Sequence, residues 1–65
     1  MSMAPHQQRV VDEARELNDK LDKLNAFFGN PVFASLNADE QERMKRQAAA
    51  MTDYSRVLAE RISAF

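Results

Sequence analysis

Lys20 and Arg61 are the residues whose positions suggest chemistry, because each can contact an anionic group. Lys20 lies one helical turn after Glu16, so a surface ion pair would also explain it. Arg61 lies in an apolar stretch beside Leu58, where a charge requires a partner. The adjacent Glu60 points to a different side of a helix. The partner of Arg61 is therefore either an acidic side chain of another subunit or a bound anion.

Groups for enzyme catalysis are almost absent from the sequence. His6 is the one histidine, there is no cysteine, and no glycine-rich phosphate loop, HExxH motif or calcium-binding loop occurs. The serines have no base and orienting acid close to them in the sequence: Ser2, Ser35, Ser55 and Ser63. We therefore expect a protein that is not an enzyme and has no cofactor and no metal site.

The charge balance argues against long polyanionic partners. Nine lysines and arginines oppose ten aspartates and glutamates, which leaves no long-range attraction for DNA, RNA or an anionic membrane. The basic run Arg43, Lys45 and Arg46 lies next to Glu40 and Glu42, which favours a solvated surface. No apolar run approaches the ~18 residues of a membrane span, and the N-terminus lacks the features of a signal peptide. We expect a soluble protein with no DNA and no membrane partner.

Apolar residues spaced alternately by four and three predict a first helix over about residues 5–28. Pro5 suits the first turn, where its missing N–H has no partner. Gly29 is expected to end the helix in the usual C-terminal manner. The apolar seam consists of Val10, Ala14, Leu17, Leu21, Leu24 and Phe28.

Residues 29–37 are expected to form a connector with one short helical turn, in which Asn30 is the N-cap and Pro31 the first position. Asn37 and Glu40 are the start signal of a second helix over about residues 38–64. Three apolar side chains of the connector are expected to face inward: Val32, Phe33 and Leu36. The seam of the second helix consists of Met44, Ala48, Met51, Ser55, Leu58, Ile62 and Phe65, with Ser55 as its polar interruption.

These elements predict an all-α fold, an antiparallel helical hairpin with a short helical turn in the connector, assembled into a helical homo-oligomer. A chain of 65 residues without disulfides or a metal gains only ~3–5 kcal/mol from its own core. The second helix is also the longer by several residues. Val57, Leu58, Ile62 and Phe65 would then be exposed in a monomer, and other copies of the chain are the expected cover.

The pattern of residues resembles the phage anti-CBASS cyclic-oligonucleotide sponges, over nearly the whole chain. The residues concerned are 6–11 (HQQRVV), Glu13, Leu17, Lys20, Leu24, Phe27, Leu36, Gln47, Met51, Tyr54, Leu58, Arg61 and Ile62. The resemblance implies a compact hexamer in the cytoplasm of the infected bacterial host. It also implies binding of cyclic dinucleotides and cyclic trinucleotides in two kinds of pocket, without cleavage, so that CBASS effectors are not activated.

The same resemblance implies roles for four residues. Lys20 would contact a dinucleotide phosphate, and Arg61 would be a ligand residue of the trinucleotide pocket. His6 stands nearest to the position of an expected N-terminal tyrosine, and its imidazole offers a smaller surface for stacking on a base. Arg9, one turn further on, would supply a second phosphate contact.

An alternative function is a protein–protein interaction module, namely a helical adaptor or an inhibitor of a host protein. Such a module would use the exposed apolar end of the second helix to grip its partner. It would be a monomer or dimer with a free apolar patch, whereas a sponge would be a closed oligomer.

Overall fold

A computed structural model describes residues 3–65, and this part of the chain is all-helical. The three helices are α1 (Pro5–Phe27), α2 (Pro31–Ser35) and α3 (Ala38–Ser63). The sequence pattern extended each long helix one residue further. The helical turn expected in the connector is α2.

Two asparagine side chains begin the second and third helices. Asn30 Oδ1 accepts a hydrogen bond of 2.8 Å from the backbone N–H of Val32. Asn37 Oδ1 accepts one of 2.8 Å from the N–H of Glu40. Each bond satisfies an N–H group that has no partner inside its helix. Both N-caps are thus those that the sequence predicts.

The end of α1 differs from the prediction made for Gly29. The C-cap is Phe28, in the right-handed helical region, and no glycine among residues 3–65 has a positive φ. Gly29 therefore follows the helix without the left-handed conformation that usually selects glycine there. A Cβ atom built on it would meet only the carbonyl oxygen of Ala26, at an ordinary 3.7 Å.

The connector packs through one aromatic ring and is held by one amide. The Phe33 ring is buried and meets the rings of Phe27 and Phe28 edge to face, with centroids 6.1 and 5.0 Å apart. Gln41 Nε2 donates hydrogen bonds to the carbonyls of Phe33 at 3.1 Å and Leu36 at 3.0 Å. Val32, which was expected to face inward, is 56% exposed.

The main apolar contact joins the start of α1 to the end of α3. Val10, Leu17 and Leu58 form a buried cluster, with Ala14, Met51 and Ile62 packed against it. The buried hydrophobic residues of the described chain are Val10, Leu17, Leu21, Phe33, Ala48 and Leu58.

Leu58 is 0% exposed, so the prediction that it would lie open in a monomer is wrong. The two long helices, of 23 and 26 residues, lie with the start of α1 beside the end of α3, where Val10 and Leu17 pack against Leu58. The first turns of α1 therefore cover Leu58. Val57 and Phe65 remain 50% and 48% exposed, as predicted, whereas Ile62 is partly buried.

Ser55, the polar residue in the seam of α3, is explained by a contact between the long helices. Its Oγ donates a 2.6 Å hydrogen bond to Asn18 Oδ1 on α1. This bond fixes which levels of α1 and α3 lie side by side.

Candidate functional site

The four residues that the sequence assigns to ligand binding all lie on the surface. His6, Arg9 and Lys20 are exposed on α1, and Arg61 is exposed in the last turn of α3. None of the four forms an ion pair within residues 3–65, and the pair expected between Glu16 and Lys20 is not formed. Arg61 was expected to need an acidic side chain of another subunit or a bound anion, but it is exposed, so the chain by itself requires neither.

Helical periodicity places Arg9 and Lys20 on one face of α1. They are eleven residues apart, which turns the helix by roughly 20° net at 100° per residue. His6 lies within about 40° of Lys20 by the same reckoning. Along the axis Arg9 and Lys20 are about 16 Å apart at 1.5 Å per residue. Arg9 and Lys20 therefore lie on one face of α1 but are well separated along the helix.

The bond between Asn18 and Ser55 shows which side of the helix pair this face belongs to. On α1, Asn18 and Lys20 lie on opposite sides of the buried Leu21, roughly 60° and 100° away from it. On α3, Ser55 and Tyr54 likewise lie on opposite sides of the buried Leu58, roughly 60° and 40° away from it. Because Asn18 and Ser55 meet on one flank, Lys20 and Tyr54 share the other.

Arg61 lies on that same flank. It follows Tyr54 by seven residues, two turns, and so points within roughly 20° of the same direction. Measured from the Asn18–Ser55 bond, Arg61 lies about 9 Å along the helix pair and Arg9 about 13 Å, in the same direction. Arg9 and Arg61 thus lie at similar heights along the helix pair, on adjacent helices.

We call this flank the cationic face and define it by five residues: His6, Arg9, Lys20, Tyr54 and Arg61. It has two parts, one around Arg9 and Arg61 and the other around Lys20 and Tyr54. Glu13 and Glu16 of α1 also project toward it, and both are exposed and without an ion pair in residues 3–65. Three permanent cations against two carboxylates leave the face with a small positive excess.

Elsewhere on the surface, the ion pairs of the described chain are local. Glu40 pairs with Arg43 at 3.2 Å and Asp53 with Arg56 at 3.1 Å, each within one turn of α3. Exposed pairs of this kind stabilise a helix by only a few tenths of a kcal/mol. Their effect is to occupy two arginines, whereas the cations of the cationic face stay available.

The described residues contain no enclosed pocket. They also contain no group of three or more histidine, cysteine, aspartate or glutamate side chains placed to hold a metal ion. None of the three helices is long and apolar enough to cross a membrane.

Tyr54 is the residue of this face to which the sequence reasoning gave no role. In the sequence it stands beside the seam position Ser55 and appears only as part of the family pattern. Its spacing of seven from Arg61 was the available signal that both share a face. Its position beside Lys20 depends on how α1 and α3 are paired, which only the folded chain shows.

The part of the chain that matches known proteins includes every residue of the cationic face. The sequence model of the Sequestin family matches residues 4–64. A protein of enterobacteria phage T4, described as an uncharacterized 7.5 kDa protein in the denB–rIIB intergenic region, is 33% identical over 63 residues, or 97% of this chain and 98% of the phage protein. No solved structure matches the chain significantly. The chain therefore belongs to the Sequestin family, which confirms the family resemblance identified in its sequence.

Proposed function

We propose that this chain is a phage anti-defence protein that binds cyclic dinucleotides, cyclic trinucleotides or both and sequesters them without cleavage. It would act in the cytoplasm of the infected bacterium, where it keeps the messenger from CBASS effectors. The observation that supports this most is the cationic face, where Arg9, Lys20 and Arg61 are exposed and unpaired within residues 3–65. The family name, Sequestin, denotes sequestration and agrees with a binding protein rather than an enzyme.

The chemistry of the face suits a small anionic ring. Arginine and lysine bind phosphate oxygens through charge-assisted hydrogen bonds, and these are stronger than neutral ones. A cyclic oligonucleotide carries one negative charge per phosphate, so it needs few cations in a small area. Long DNA requires many phosphate contacts along a basic stripe, and a chain with a net charge of −1 provides none.

We further propose that each subunit is an antiparallel hairpin of α1 and α3 and that the subunits form a homo-oligomer, a hexamer by the family resemblance. Within residues 3–65 the core of one chain contains only six buried hydrophobic residues, while Val57 and Phe65 remain about half exposed. Arg9 and Lys20 are about 16 Å apart on one helix, so one chain presents them as separate points. Cations from neighbouring subunits would reach the phosphates of one cyclic nucleotide more readily.

By this assignment Lys20 contacts a dinucleotide phosphate, with His6 and Arg9 completing that site from another subunit. Arg61 serves the trinucleotide site. His6 and Arg9 cannot meet the Lys20 of their own chain around one ring without long side-chain excursions, because they lie about 16–21 Å from it along α1. The two sites thus use different residues and can be removed separately by substitution.

Titration calorimetry with a panel of cyclic dinucleotides and trinucleotides tests the proposal. Matched linear dinucleotides and trinucleotides are the control, since they carry the same bases and phosphates without the ring. We expect saturable heat with at least one cyclic ligand and much weaker heat with its linear form. No heat with any cyclic ligand removes the proposal.

A protein–protein interaction module is the second candidate, favoured by the exposure of Val57 and Phe65 near the end of α3. Multi-angle light scattering separates the two candidates. A monomer or dimer that gives no heat with the nucleotide panel supports the interaction module. A closed oligomer that binds a cyclic nucleotide supports the sponge.

A further inference from the structure

Tyr54 is an aromatic residue on the surface that the packing of the chain does not explain. It is 44% exposed in the middle of α3, and its hydroxyl makes no hydrogen bond within residues 3–65. It contributes nothing to the buried cluster of Val10, Leu17 and Leu58. A half-exposed phenol ring on a helix that is otherwise rich in charged residues is available to an external partner.

Lys20 is the cation of the cationic face that lies at the level of Tyr54. Relative to the Asn18–Ser55 bond, Lys20 is two residues further along α1 and Tyr54 is one residue earlier along α3. The start of α1 lies beside the end of α3, so the two helices run in opposite directions. A step forward along α1 and a step backward along α3 therefore lead the same way along the helix pair. The levels of Lys20 and Tyr54 then agree to within about 2 Å at 1.5 Å per residue. Tyr54 and Lys20 therefore occupy the same level and the same flank of the helix pair.

The surroundings of Tyr54 favour a planar anionic ligand. Ala50, one turn before it, is small, and Val57, on the other side, is apolar and half exposed. The adjacent Asp53 is turned away by about 100° and pairs with Arg56 at 3.1 Å. Glu16, one turn before Lys20, is exposed and forms no ion pair within residues 3–65. The ring thus has an open apolar border and a cation beside it.

We propose that Tyr54 stacks on a base of a cyclic dinucleotide while Lys20 of the same chain binds the adjacent phosphate. This inference rests on the proposed function and adds a base-recognition residue to it. Stacking requires a flat ring with one open face, and phosphate binding requires a cation within a side-chain length of that ring. Tyr54 and Lys20 meet both requirements from one subunit, whereas His6 offers only a small ring at a distant level.

Tyrosine fluorescence provides a direct test, because the chain contains one tyrosine and no tryptophan. Its tyrosine emission therefore reports on Tyr54 alone. The probe is 3′3′-cyclic GMP–AMP, added to the full chain, with N-acetyltyrosinamide titrated in parallel to correct for absorption by the bases. We expect quenching beyond that control, saturating at the same ligand concentration as the heat in calorimetry.

Three variants complete the test. Tyr54→Phe keeps the ring and is expected to retain affinity within about threefold, whereas Tyr54→Leu should lose on the order of 10- to 100-fold. Val32→Ala is the matched control, since it removes apolar surface of similar exposure in the connector, away from the cationic face, and should leave affinity unchanged. Circular dichroism and light scattering establish that each variant keeps the helices and the mass of the wild type.

The outcomes separate this inference from the proposed function. Normal heat with unquenched emission and an unaltered affinity of Tyr54→Leu overturns the stacking role and leaves the sponge standing. A loss of oligomer mass in Tyr54→Leu, together with unquenched emission in the wild type, assigns Tyr54 to subunit contact and also overturns it. No heat in the wild type with any cyclic nucleotide overturns both.

Discussion

Replacing Leu58 with alanine should remove most of the free energy of unfolding of this chain, because Leu58 is the one large side chain among residues 3–65 that is fully buried. Removing a buried leucine side chain typically costs about 2–5 kcal/mol. A small chain without disulfides has only about 3–5 kcal/mol from its own core. We therefore expect a loss of about 3 kcal/mol in Leu58→Ala.

Urea unfolding followed by helical circular dichroism measures this loss. With an m value of about 1 kcal/mol/M for so small a chain, the midpoint should fall by about 3 M. Val57→Ala is the matched control: the residue is the direct neighbour, is half exposed, and should cost no more than about 0.5 kcal/mol. Both curves are taken at several protein concentrations, because oligomerisation makes the stability depend on concentration.

An exposed Leu58 would give a different result. If Leu58 were at an open end of α3, as the sequence pattern suggested, Leu58→Ala and Val57→Ala would destabilise the chain by similar small amounts. Equal midpoints for the two variants would therefore refute the packing of the first turns of α1 over the end of α3.

Three further predictions concern the connector and the cationic face. Gly29→Ala should stabilise the chain by about 0.4–1 kcal/mol in the same urea assay, because Gly29 has no positive φ and a Cβ there meets no close atom; a clear destabilisation would contradict the described end of α1. Gln41→Ala should lower the free energy of unfolding by about 1–2 kcal/mol and speed amide hydrogen exchange in the connector, since the Gln41 amide holds the carbonyls there. Unchanged exchange would show that the amide does not fix the connector. Lys20→Ala should weaken the binding of cyclic dinucleotides in calorimetry, and Arg61→Ala should weaken the binding of cyclic trinucleotides, each at unchanged oligomer mass. Unaltered affinities in both variants would show that the sites lie elsewhere.

The helix starts were predictable because they depend on local chemistry. Asn30 and Asn37 cap helices through bonds to N–H groups two and three residues away, so the signal lies within a few letters of sequence. The conformation of Gly29 was not predictable in this way. Glycine is common after a helix because it tolerates a positive φ, but this helix ends through Phe28 in the right-handed region and does not need that tolerance.

The burial of Leu58 and the role of Ser55 depend on contacts between residues far apart in the chain. Ser55 looks like a flaw in an apolar seam until Asn18, 37 residues away, is seen to accept its hydrogen bond. Leu58 looks like an unpaired seam residue until the first turns of α1 are placed beside it. Neither contact has a signature in a single sequence, because the relative level of two helices is set by their whole interface.

The same limit applies to the cationic face. Periodicity alone places Arg9 with Lys20 on α1 and Tyr54 with Arg61 on α3. The relation between these two pairs requires the pairing of the helices, which follows from the Asn18–Ser55 bond. The ligand contacts of all four residues remain predictions.

The central claim is that the chain holds a cyclic oligonucleotide and returns it intact, and retention followed by release tests this most directly. A cyclic nucleotide that binds in calorimetry is incubated with the protein, the mixture is passed through a membrane that retains only protein, and the retained fraction is then heated. We expect the nucleotide to be retained in a saturable amount and recovered chemically unchanged after heating. Free passage of every cyclic nucleotide through the membrane, or recovery of linear products, would contradict it.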